Sequence, residues 1–171
     1  MFSKLKPLLA LTKEYLLLVL MVTVFYVTMS ILGHEKHPVI WSGILVIFSC
    51  LKVFLLVSFT FKKLDTLVSA NHSFNHLLLL LGAVISLIVV SFTFDYLCLL
   101  EIYPEAFSGI DHDQSLVYQS LNLLYFSIVT YTTVGYGDIS PAIPAAKLIS
   151  VLEIITAFVV IVFILTKYFR K

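Results

Sequence analysis

The chain has 171 residues, is 60% hydrophobic and only 12% charged, and carries a formal net charge of +1. Soluble domains hold about 25% charged residues, so this composition, with a mean hydropathy of +1.05, excludes a water-soluble globular fold, a disordered chain and a disulfide scaffold. Lipid is the solvent for most of the chain, and the placement of its charges says more than their sum.

A membrane span needs about 20 apolar residues. The first apolar run, Tyr15–Leu32, follows Lys4 and Lys6. It is too long for the apolar core of a signal peptide and no A-x-A site follows, so it is expected to be a retained anchor. Gly33–Pro38 is a tight external turn into a second span, Val39–Phe61. Lys62–His76 is a short cytoplasmic loop whose Leu64, Leu67 and Val68 suit the lipid interface. A third span, Leu77–Leu100, leads into an external loop, Glu101–Ser115, with Pro104 and Gly109. Leu116–Val134 is long enough to cross but carries Gln119, Asn122 and a Thr-rich end. Ala145–Thr166 is the last span.

Charge decides whether Leu116–Val134 crosses. If it does not, Lys4, Lys6, Lys13, Lys62, Lys63, Lys167, Arg170 and Lys171 share one face, with Lys36 and Lys147 opposite and Lys52 at membrane depth. The positive-inside rule then gives four crossing helices in the cell membrane, with both termini cytoplasmic. Leu116–Val134 enters and leaves from outside. Such a segment survives only where protein or water surrounds it. The expected fold class is an all-α membrane protein, four transmembrane helices plus a re-entrant helix and loop.

Residues 132–138 read Thr-Thr-Val-Gly-Tyr-Gly-Asp. Gly135 and Gly137 can take left-handed dihedrals at little cost. Their alternation with larger residues lets successive carbonyls point to one axis while Val134 and Tyr136 pack away from it. Stacked carbonyl rings can replace the water around a monovalent cation.

Over Tyr125–Pro141 the sequence YFSIVTYTTVGYGDISP resembles the potassium channel pore family, most closely its small prokaryotic two-helix-plus-pore-loop unit. The resemblance implies a pore domain over 77–171, with Leu77–Leu100 as outer helix, Leu116–Thr132 as pore helix and Ala145–Thr166 as inner helix. Residues 1–63 then form a peripheral hairpin of two helices, and 64–76 a cytoplasmic linker. It implies potassium coordination by Thr133, Val134, Gly135 and Tyr136, with Gly137 completing the filter. Thr132, Asp138 and Tyr125 would support the filter, and Ser140 would ring the outer mouth. Glu153 on the inner helix is expected to hydrogen-bond in a buried site facing the pore helix, and Ala157 stands where a hinge Gly is common. The chain has Tyr125 and Phe126 where many members carry two Trp, and Val129 where some carry Glu, which implies a less braced filter. One filter segment per chain, where a ring needs four, implies a homotetramer.

The expected function is passive potassium conduction without a voltage sensor, because no span repeats Arg every third residue. A non-selective cation channel and a non-conducting modulatory subunit are the alternatives; a fused-repeat transporter would need four filters in one chain. No nucleophile–base set, phosphate loop or nucleic-acid patch is present, so neither an enzyme, a cofactor beyond permeant potassium, nor a nucleic-acid partner is expected. Membrane lipids, anionic ones among them, and a separate cytosolic regulatory protein remain candidate partners.

Other polar residues have plainer expectations. Glu35, Glu101, Glu105, Asp111, Asp113 and Asp138 make the outside acidic. Lys52 is expected to snorkel to the membrane edge and Asp95 to lie at the interface. His34, His37, His72 and His76 read as ordinary exposed histidines, and Cys50 and Cys98 as small buried hydrophobes.

Overall fold

The computed structural model describes residues 20–29, 37–69, 74–111 and 113–169. Helix α1 is Leu20–Met29. It is followed by α2 (Pro38–Ser69), α3 (Phe74–Ile102), strand β1 (Phe107–Ser108), α4 (Leu116–Tyr131), strand β2 (Ser140–Pro141) and α5 (Pro144–Phe169). Val, Ile and Phe are middling helix formers in water. In lipid the backbone must satisfy its own polar groups, and the helix does so within one segment. Hydroxyls inside these helices follow the same rule: Thr60, Thr93, Ser150 and Thr156 each donate to the carbonyl four residues earlier.

Among the described residues three helices are long and apolar enough to cross a membrane: Pro38–Lys62, Leu81–Ile102 and Pro144–Phe163. The expected first span, Tyr15–Leu32, is described only over α1. Residues 15–19 and 30–32 lie outside the described residues, as do Lys4, Lys6, Lys13, Glu35, Lys36, Arg170 and Lys171, and His34 and His72. The stretch read as the start of a loop, from Lys62, is helical through Ser69.

Helix α3 is central and packs against α2, α4 and α5. Of its spanning stretch 67% is buried, against 28% for α2, which explains why α2 reads as an outer layer. On α2 the buried positions Ser42, Leu45, Ser49, Lys52, Leu56 and Thr60 recur every three or four residues and form one face. Ile40, Ile44, Ile47, Leu51 and Phe54 form the exposed face. Ring contacts attach the outer elements. Phe25 of α1 stacks on Phe48 of α2, and Phe61 of α2 stacks on Phe163 of α5.

Two-residue strands set the path of the segment between α3 and α5. Phe107 pairs with Pro141 and Ser108 with Ser140, antiparallel. The next backbone bond, from Ala142 N–H to the Ala106 carbonyl, is 2.9 Å. β1 follows the end of α3, and β2 precedes the start of α5. The intervening α4 and residues 132–138 therefore leave and return at the same edge of the protein.

Candidate functional site

Helix α4 presents Leu123, Phe126, Ser127, Val129, Thr130 and Tyr131 to the protein interior. It ends in overlapping hydrogen bonds: Thr132 N–H to Ile128 O, Thr133 N–H to Thr130 O and Val134 N–H to Val129 O, all 3.0 Å. These bonds close the helix C-terminus and turn the chain into the 132–138 segment.

That segment alternates in backbone hand. Thr133, Gly135 and Gly137 have φ of 57°, 60° and 81°, all left-handed. Glycine takes these values freely. A β-branched residue does not, and it persists there only where its surroundings over-determine it. The two glycines were expected to alternate; the left-handed Thr133 was not, because nothing in a threonine announces it. A Cβ on Gly135 or Gly137 would meet nothing within 4 Å in the single chain, so dihedral angle rather than crowding constrains both. Val134 and Tyr136 are 53% and 71% exposed, so among the described residues neither is enclosed by the single chain.

Asp138 closes the segment and is held from two sides. The Tyr125 hydroxyl on α4 donates to its carboxylate at 2.8 Å, and the Ile139 N–H donates at 3.0 Å. The bond from Tyr125 holds the Asp138 carboxyl below the usual carboxylate range and pushes the phenol above its own. Phe126 turns away into an aromatic cluster, 5.1 Å from Tyr96 and 5.3 Å from Phe107 between ring centres. Ser140 lies half-buried in β2.

Behind α4, Glu153 of α5 is fully buried and accepts two hydrogen bonds. Tyr96 of α3 donates to Oε2 and Ser127 of α4 to Oε1, each at 2.5 Å. Glu153 thus joins three helices at one point. Ala157, one turn further along α5, is 2% exposed and faces the same interior. The opposite face of α5, with Val151, Ile154, Ile155, Phe158 and Val162, is exposed.

Three expectations are overturned. Lys52 does not snorkel and Asp95 is not interfacial: each is 1% exposed, and they form an ion pair between α2 and α3. Ser49 Oγ adds a 2.5 Å bond to the same carboxylate. A buried charge is costly alone, and each supplies the other's partner. The third is Cys50, expected to be buried, which is exposed on the outer face of α2, while Cys98 is buried; both are free. Sequence reading missed Tyr96 and Ser127, whose hydroxyls look unremarkable until the helices meet. It also missed Gly109 (φ 87°), where a Cβ would fall 2.0 Å from the Asp138 carbonyl oxygen. Among the described residues no group of three or more His, Cys, Asp or Glu could hold a metal ion.

Known proteins similar to this chain include potassium channels of plants and of a virus. The chain is 32% identical over 81 residues to "Two-pore potassium channel 4" of Arabidopsis thaliana, covering 47% of this chain and 26% of that protein. It is 39% identical over 41 residues to "Potassium channel protein kcv" of Paramecium bursaria Chlorella virus 1, covering 24% and 44% respectively. It is 60% identical over 35 residues to "Two pore potassium channel c" of Oryza sativa subsp. japonica, covering 20% and 8%. The matches thus span less than half the length of each of these relatives. No solved structure matches. The model of the family described as "Ion channel" matches residues 79–171, from α3 through the alternating segment to the end of α5, and the chain belongs to that family.

Proposed function

We propose that the chain is the subunit of a potassium-selective channel, with residues 133–137 as its filter. The observation that carries this reading is the left-handed alternation at Thr133, Gly135 and Gly137, in a segment that returns to its starting edge. Alternating hand is what aligns successive carbonyls in an extended backbone, and aligned carbonyls replace the hydration shell of a potassium ion. The names of the plant and viral relatives favour potassium over other cations.

The reading extends to assembly and topology. Four copies ring one axis, with Thr133, Val134, Gly135 and Tyr136 coordinating the ion and Thr132, Tyr125 and Asp138 bracing the ring. Exposed Val134, Tyr136 and the apolar face of α5 are the surfaces that such an assembly covers. Four helices cross the cell membrane, the first of them containing α1, with both termini cytoplasmic. Residues 1–63 form the peripheral hairpin, 64–76 the linker and 77–171 the pore domain. The protein is a passive conductor and not an enzyme, with no cofactor beyond the permeant ion.

Reconstitution of the full chain into liposomes holding a potassium gradient tests the reading. Potassium flux well above sodium flux is expected, and Gly137→Asp abolishes it while leaving the assembled state intact. Equal potassium and sodium flux points to a non-selective pore, and no flux to a modulatory subunit; either overturns the proposal.

A further inference from the structure

Two buried polar clusters occupy the helical body, and consecutive residues of α3 join them. In the first, the Lys52 ammonium donates to the Asp95 carboxylate and, at 3.2 Å, to the Ser91 carbonyl. It also stands 4.5 Å from the centre of the Phe92 ring. All of these Lys52 partners belong to α3. In the second, Tyr96 and Ser127 hold Glu153. Ser127 Oγ also lies 3.0 Å from the Val89 carbonyl, so α4 is tied to α3 as well as to α5.

Neighbouring residues on an α-helix point about 100° apart, since a turn holds 3.6 residues. Asp95 therefore leaves α3 towards α2 while Tyr96 leaves it towards α4 and α5. Fixing one fixes the rotation of the other. Tyr96 has no freedom to compensate: it is fully buried, with the Phe107 and Phe126 rings against it at 5.4 and 5.1 Å. Ser127, at the far end of the path, lies on the last turns of α4, directly ahead of the 132–138 segment.

We infer that Lys52 is a positioning residue for the filter. By holding Asp95 it sets the rotation of α3, which keeps the Tyr96 hydroxyl on Glu153, and Glu153 in turn fixes Ser127 and the end of α4. The outer helix α2 is thereby coupled to ion selection at a distance. This inference rests on the reading of residues 133–137 as a potassium filter.

The test is a double-mutant cycle on the full chain in liposomes, reading the potassium-to-sodium permeability ratio and the assembled state. Lys52→Met and Tyr96→Phe are each expected to lower the ratio by about threefold or more, the scale of coupled side chains. The double variant is expected to be no worse than the poorer single, because both cut one path. Losses that multiply, or a ratio unchanged in Lys52→Met, overturn the inference. Where Lys52→Met fails to assemble because Asp95 is left charged and unpaired, Lys52→Met/Asp95→Asn removes both charges. That variant is expected to assemble and still lose selectivity; a wild-type ratio in it overturns the inference. A wild-type chain that passes no potassium overturns the filter reading itself, and the inference with it, whereas a selective wild type with indifferent variants overturns the inference alone.

Discussion

The Tyr125 hydroxyl donates to the Asp138 carboxylate at 2.8 Å, tying α4 to the residue that closes the 132–138 segment. The other contacts to that carboxylate are local, from the backbone of Asp138 and Ile139, so among the described residues Tyr125 is the one that reaches it from a distance in sequence. Tyr125→Phe keeps the ring and removes the bond. Potassium flux in liposomes is expected to start normally and then decline several-fold faster than in the wild type, and a decline at the wild-type rate would show that Asp138 needs no brace.

The same pair sets a pH window. The Asp138 carboxyl is held below the ordinary value, so the stability it contributes is fully present above about pH 3.9 and is lost only as pH falls through the lower, folded value. The Tyr125 phenol is raised, so its contribution holds below about pH 10 and is lost as pH rises through the higher, folded value. Between these limits the rate of flux decline is expected to be flat with external pH. A step near neutral pH would assign the brace to another group.

Gly109 meets the backbone of Asp138 so closely that a methyl group has no room. Alanine there would place its Cβ 2.0 Å from the Asp138 oxygen and would also be strained at φ 87°. Gly109→Ala is expected to cost about 1–3 kcal/mol, as overpacking does. The measurable result is a lower thermal midpoint of the assembled protein together with reduced flux. Gly43→Ala, where a Cβ meets nothing within 4 Å, is the matched comparison and is expected to leave both near wild type.

Thr133 sits at φ 57°, a left-handed angle that costs a non-glycine residue about 1–2 kcal/mol. Thr133→Gly is expected to relieve about 1 kcal/mol of that strain while removing the hydroxyl proposed to face the cytoplasmic end of the ion path. Thermal stability should rise as barium block from the cytoplasmic side weakens. Barium affinity equal to wild type would place the hydroxyl off the ion path.

Steady-state conductance is expected to vary little with voltage. Steep voltage dependence draws on about three or four mobile charges per subunit. On α2 the basic residue at membrane depth is Lys52, which is pinned to Asp95, and Lys62 and Lys63 come after it, with Lys62 closing the spanning stretch. A steep conductance–voltage curve would show that charges other than Lys52 move in the field, since one charge per subunit is too few.

The alternating backbone of residues 132–138 was legible in the sequence because its signal is local: two glycines at a fixed spacing and one closing acid within seven residues. The ion pair was not. Lys52 and Asp95 lie on different helices, and each read alone has a cheaper destination at its own nearest membrane edge. Helix packing brings them together, and no periodicity within α2 or α3 encodes the partner. Gly109 was read as a loop glycine for a similar reason. The strands that carry it to Asp138 are two residues long, too short to leave an alternating pattern.

The bond between Ala142 and Ala106, with the two strand pairs beside it, gives the segment between α3 and α5 a neck. Everything from Phe107 to Pro141 hangs from that neck, so the segment is bounded like a cassette rather than threaded through the rest of the chain. Splice points placed at Ala106 and Ala142 keep the closure with the insert, whereas points placed at the ends of α4 sever it. Transplantation of the whole cassette onto another pair of helices also requires a tyrosine against which Phe107 and Phe126 can seat and a buried acceptor for Ser127, as Tyr96 and Glu153 provide here.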